Sequence, residues 1–80
     1  MKTEYELRPK ELAEVEKAIR QDKRAEVRQR ALVIRLLHLG YKPEDIAQQQ
    51  MVSIPTIYNW HRNWRKDGVE GLANKPRKGR

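Results

Sequence analysis

Between Pro43 and Arg62, in the stretch PEDIAQQQMVSIPTIYNWHR, apolar residues fall at Ile46, Ala47, Val52, Ile57 and Trp60. Two short helices joined by a tight turn and crossing at roughly 90–120° bury their shared interior with this spacing. Ala47 suits the crossing point, where a larger side chain would hold the helices apart. The pattern predicts one helix over 43–50 and a second over 53–66. Pro43 suits a first helical position, where the N–H has no partner to lose, and Glu44 and Asp45 follow where negative charge is favoured. Ser53 is placed to cap the second of the pair, Pro55 lies early enough to cost no hydrogen bond, and Gly68 ends it.

Upstream, Leu12, Val15 and Ile19 recur at helical spacing after Pro9 and predict a helix over 9–23. Gln21-Asp22-Lys23-Arg24 has no apolar residue and holds the break. The next helix, 25–39, is apolar over a wide arc: Val33, Leu36 and Leu37 form one face, with Val27, Ala31 and Ile34 beside it. A helix of that kind must be covered on more than one side. The economical arrangement sets the 43–66 pair against one side and the Leu12/Val15/Ile19 stripe against the other. Gly40 suits the left-handed residue that ends this helix, and His38 suits the negative end of its dipole. The first helix is either a packing element or the contact surface of a homodimer. Beyond Gly68, Val69 to Leu72 folds back as a short cap with Leu72 packing inward, and Trp64 is suited to anchor it. The expected fold class is all-α: a four-helix helix-turn-helix domain over 1–73 with a basic extended arm over 74–80.

Eighty residues allow one small, marginally stable core. With no cysteine, neither a disulfide framework nor a Cys-based zinc site supports it. His38 and His61 are too few for a metal site, so no metal, cofactor or catalytic residue is expected. No run of about 18 apolar residues is present, and MKTEYELRPK lacks the apolar core of a signal peptide. The expectation is a cytoplasmic, nucleoid-associated protein with no membrane partner. The formal charge of +7 is unevenly placed: residues 61–80 hold seven Lys/Arg against two Asp/Glu, directly after the last helix. Next to a helix-turn-helix, such a cluster is the footprint of phosphate binding.

Double-stranded DNA is therefore the expected partner. With Ile57 and Trp60 inward, Ser53, Ile54, Pro55, Thr56, Tyr58, Asn59 and Arg62 are left on the outer side or rim of the second helix, whose N-terminal part enters the major groove in such motifs. Asn59 is the first candidate for base reading, since an amide donates to and accepts from adenine together; Arg62 reaches a guanine or a phosphate. Ile54 and Pro55 pack on a thymine methyl, while Ser53, Thr56 and Tyr58 offer hydroxyls to phosphates. Arg65 and Lys66 add phosphate contacts. Lys75, Arg77, Lys78 and Arg80, broken by Pro76 and Gly79, suit an extended arm along a minor groove. The spacing of Trp60 makes it core rather than a base-stacking platform.

From Arg28 onward the chain resembles the N-terminal DNA-binding domain of mariner-type insertion-sequence transposases. The likeness is carried by Arg30-Ala31, Leu36-Leu37, Gly40, Ile46-Ala47, Val52-Ser53, Thr56-Ile57-Tyr58 with Trp60, and Trp64. It continues through Gly68-Val69-Glu70-Gly71-Leu72 into Lys75-Pro76-Arg77 and Gly79-Arg80. The resemblance implies a homeodomain-like fold related to the paired domain, recognition of terminal inverted repeats, groove contacts by Thr56, Tyr58, Asn59 and Arg62, and linker contacts by Arg77 and Arg80. Two positions depart from the pattern: Gln50 stands where an apolar residue is usual, and Met51 replaces the turn glycine. A left-handed turn is unfavourable for Met, so either the turn takes another shape or Met51 fills the gap at Gln50. The chain is not expected to be an enzyme, because transposase chemistry needs three metal-binding carboxylates on a separate domain. The alternative use is an autonomous transcriptional regulator at an operator, acting alone or as a dimer.

Overall fold

Proline and hydroxyl chemistry set the starts of three helices in the computed structural model, which describes residues 5–73. Helix α1 (Pro9–Gln21) and helix α3 (Pro43–Gln50) both begin on proline, and helix α4 (Ile54–Asp67) has Pro55 in its first turn. Ser53 caps α4: its Oγ accepts from the Thr56 N–H at 3.3 Å and lies 2.7 Å from the Thr56 hydroxyl. Helix α2 (Ala25–His38) precedes α3, and a 3-10 turn (Gly68–Leu72) follows α4. No strand occurs among the described residues, and the fold is all-α.

Helix α1 stops two residues short of expectation. Asp22 turns extended (φ −69°, ψ 137°), and its carboxylate accepts from the Arg24 backbone N–H at 2.9 Å, which ends the helix and starts the next. Helix α2 ends at His38, where Gly40 (φ 102°) and Tyr41 donate back to Leu37 and Leu36 at 3.1 Å each. This pair of bonds satisfies two orphan carbonyls.

The same pair closes α3, with Met51 and Val52 donating to Gln48 and Ala47. Met51 therefore occupies the left-handed position itself (φ 60°, ψ 42°). Neither expectation for this turn holds. The glycine-type geometry is kept, and the side chain is 89% exposed rather than filling the place beside Gln50. Gln50 instead accepts from the Gln29 amide at 3.0 Å.

The wide apolar arc of α2 is divided between two clusters. Val27, Ala31 and Ile34 face Val15 and Ala18 of α1, together with Trp64 and Leu72. Val33 and Leu37 face Ile46, Ala47 and Ile57 of the α3–α4 pair. Leu12 and Ile19 pack, partly buried, against the first cluster, so the α1 stripe takes the packing role expected of it, and nothing in this packing bears on a homodimer through the helix. Trp60, expected as full core, is only half-buried, but it packs against both clusters.

The N-terminal segment is part of this packing. Leu7 is buried in the first cluster, and its N–H donates to His38 Nδ1 at 2.9 Å. His38, in the last turn of α2, thus ties the N-terminal segment to the end of that helix. Tyr5 packs against the second cluster and meets the His61 ring edge-on, with centroids 4.7 Å apart.

Two features fix the 3-10 turn. A Cβ on Gly71 would collide with the Asn63 carbonyl, so only glycine lets the turn lie this close to α4. Arg24 reaches Glu70 through both terminal nitrogens (3.0 and 3.1 Å) while holding Asp22 through Nε and Nη2 (3.0 and 3.1 Å). The fork joins the α1–α2 break to the turn 46 residues later.

Two predictions follow from this geometry. Met51→Gly should stabilise the domain by about 0.5–1 kcal/mol. A left-handed L-residue costs about 1–2 kcal/mol, and glycine's extra chain entropy, roughly 0.5–1 kcal/mol, offsets only part of that. The exposed side chain takes no core contact with it, so a urea midpoint that falls on substitution would contradict the strain. The second concerns acid. The Arg24 guanidinium holds the Asp22 carboxyl below its ordinary value of 3.8. A depressed folded pKa contributes stability above the ordinary value, and that stability is lost as pH falls through the folded one. The melting temperature of Asp22→Asn should thus lie below that of the parent at pH 6 and approach it below pH 4. A gap that is constant with pH would remove this linkage.

Candidate nucleic-acid interface

Helix α4 is amphipathic by construction. Ile57 and Trp64 are buried and Trp60 and His61 half-buried on one side. At 3.6 residues per turn the opposite side is centred on Pro55, Asn59, Arg62 and Lys66. All four are exposed. Ile54, Tyr58 and Arg65 are exposed along one flank, and Asn63 is exposed on the other, beside half-buried Thr56. The packing of α4 on α2 and α3 therefore brings Ile54, Pro55, Thr56, Tyr58, Asn59, Arg62 and Arg65 onto one continuous surface, with Ser53 at its start. Lys75, Arg77, Lys78 and Arg80 lie outside the described residues.

The polar groups on that surface are partly committed to one another. Arg62 Nη1 donates to Asn59 Oδ1 at 3.0 Å, so the amide oxygen needed to accept from an adenine is engaged here. The Ser53 and Thr56 hydroxyls are paired in the cap. Acidic residues are sparse: within α4 only Asp67, at the last position, opposes Arg62, Arg65 and Lys66.

One side chain in this region was not anticipated. Arg30 of α2 lies with its guanidinium carbon 4.9 Å from the Trp60 ring centroid and donates to the Leu72 carbonyl at 3.0 Å. The cation–π contact and the hydrogen bond bind α2, α4 and the 3-10 turn to a single group. In the sequence Arg30 stands out only as the cation directly before the apolar run 31–34 and as part of the Arg30-Ala31 pair in the resemblance. Trp64 behaves as expected: it is 4% exposed and shares a cluster with Leu72.

The family model described as a homeodomain-like domain matches residues 24–73 of the chain. This protein belongs to the homeodomain-like family. No curated protein and no solved structure gives a significant match. The matched span takes in α2, α3, α4 and the 3-10 turn, so the homeodomain-like unit here includes the turn that Gly71 and Arg24 secure. Helix α1 precedes that span and covers the side of α2 that the α3–α4 pair leaves open. Among the described residues no helix is long and apolar enough to cross a membrane.

The homeodomain-like packing separates two roles on one helix. Trp60→Ala should lower stability by about 3 kcal/mol, the lower end for a buried aromatic because the ring is half-exposed. The loss should appear as a lower melting temperature and reduced helical circular dichroism on warming. Asn59→Ala, one position earlier, should leave both unchanged. Equal melting temperatures for the two variants would show that the inward and outward sides of α4 are misassigned.

Proposed function

We propose that this homeodomain-like domain binds double-stranded DNA with sequence preference, laying the N-terminal part of α4 in the major groove. The observation that carries the reading is the exposed, cation-bearing side of α4, opposite the side held by Ile57 and Trp64. A helix fixed by core packing and presenting donors outward meets the requirement for base reading, which is a rigid rod about as wide as the groove. Asn59 and Arg62 are the base-reading residues in this proposal, and Ile54 and Pro55 supply apolar contact to thymine methyls. Ser53, Thr56, Tyr58, Arg65 and Lys66 fix the register on phosphates. Lys75, Arg77, Lys78 and Arg80 extend the contact along the backbone or into the minor groove.

The target we favour is the terminal inverted repeat of a transposable element. The support is the resemblance to mariner-type transposases, strongest through Gly68–Leu72, a segment that a generic helix-turn-helix does not require. In that setting the domain docks and a separate carboxylate-bearing module cuts. No catalytic role is proposed for these residues.

The test is selection of bound duplexes from a random pool, followed by affinity measurements against salt. With roughly four to six phosphates engaged, log K should fall with log salt at a slope of about −4 to −5. Asn59→Ala should cost about 1–3 kcal/mol on the selected duplex and little on an unrelated one. A slope near zero between 50 and 200 mM salt, or no enriched sequence, would overturn the proposal.

A further inference from the structure

Beside the outward face of α4 runs a groove of about 510 Å³ that the helix-turn-helix pattern does not account for. Its walls come from three elements: Thr56, Asn59, Trp60, Asn63 and Lys66 of α4, Arg30 of α2, and the 3-10 turn at Gly71. The lining is mainly polar and carries two cations, Arg30 and Lys66, against one carboxylate, Asp67. The groove adjoins the reading surface, since Asn59 and Lys66 belong to both.

We infer that this groove is a backbone-binding site, in which Arg30, Asn63 and Lys66 hold a stretch of the sugar–phosphate chain of the DNA bound by α4. The inference rests on the DNA-binding reading and adds to it a second element, α2, as a source of phosphate contact. Three observations support it. The Arg30 guanidinium is held at two points, over the Trp60 indole and on the Leu72 carbonyl, so its charge sits at a fixed place in the wall. An arginine immobilised before binding loses less side-chain freedom when a phosphate arrives. Asn63 and Lys66 are both exposed and stand three residues apart, on neighbouring turns of the same helix. The groove also exceeds what one inorganic anion needs, which matches a continuous strand rather than a lone phosphate. Gly71 keeps the wall in place by allowing the 3-10 turn to sit against α4.

The test uses the full chain and two duplexes of equal length, one selected for binding and one unrelated, with affinity read by fluorescence anisotropy. Asn63→Asp places a negative charge in the groove without touching the core. It should weaken binding to both duplexes by a similar factor, about tenfold at low salt. Arg30→Gln should weaken both and reduce the salt slope by about 0.9, the value for one lost phosphate contact. Arg30→Lys, which keeps the charge, should recover most of that slope. If Arg30→Gln lowers the melting temperature, measurement at a temperature where the variant is fully helical removes folding from the comparison, and Asn63→Asp stands as the independent variant. Unchanged affinity and slope for Asn63→Asp and Arg30→Gln, with the parent still binding, would overturn the groove assignment and leave the DNA reading intact. Loss confined to the selected duplex would also overturn it, because the groove would then be reading bases. A parent that binds neither duplex would instead overturn the DNA reading.

Discussion

Burial of α2 on two sides is the constraint from which the rest of the domain follows. The described residues hold two small clusters instead of one deep core, and no cysteine is present to staple them. One helix serves both. Val27, Ala31 and Ile34 are covered by α1, Trp64 and Leu72; Val33 and Leu37 are covered by α3 and α4. Neither cluster is complete without α2, and Trp60 touches both. The cost of this economy is that helix α4 must contribute to both clusters while keeping one side clear. It does so by burying Ile57 in one and Trp64 in the other, two turns apart, and half-burying Trp60 between them.

Much of this was legible because it depends on local chemistry or on period. Pro9 and Pro43 at first helical positions, Ser53 as a cap, and Gly40 and Gly68 at positive φ all follow from properties of a single residue. The two faces of α2 follow from spacing alone, and the structure keeps the grouping that spacing gives. What was not legible depends on residues far apart in sequence meeting in space. Leu7 is one isolated leucine ahead of the first stripe, and no period announces that its N–H will find His38, 31 residues later. The same is true of Arg30 over Trp60 and of Arg24 on Glu70. Met51 failed for another reason. The hydrogen bonds that close α3 demand a left-handed residue whatever its side chain, and the tertiary position of α4 overrides the local preference.

The candidate site was legible in outline and less so in detail. Inward spacing of Ile57 and Trp60 was enough to place Asn59 and Arg62 outside, because on a helix each inward residue fixes its neighbours' directions. Spacing does not say what an exposed side chain does next. Asn59 and Arg62 bond to each other, so on this surface the amide oxygen and the guanidinium form one unit rather than two independent readers. The amide oxygen has a second lone pair, so Asn59 keeps an acceptor and its N–H donors for a base while it orients Arg62.

That coupling bears on how stability and recognition are distributed. The residues that hold α4 in place (Ile57, Trp64, and Trp60 with Arg30 upon it) lie on the opposite side from those that would touch a base. Changes at Asn59 or Arg62 leave the clusters untouched, so this outward face is free to vary without loss of fold. Arg30 is the exception. It braces Trp60 and the 3-10 turn while lining the groove beside the reading face, so its substitution touches packing and surface charge together. A homeodomain-like unit built this way has an outward face that is easily altered and a frame that is not. The frame is set by the same contacts that keep the two halves of the core in register.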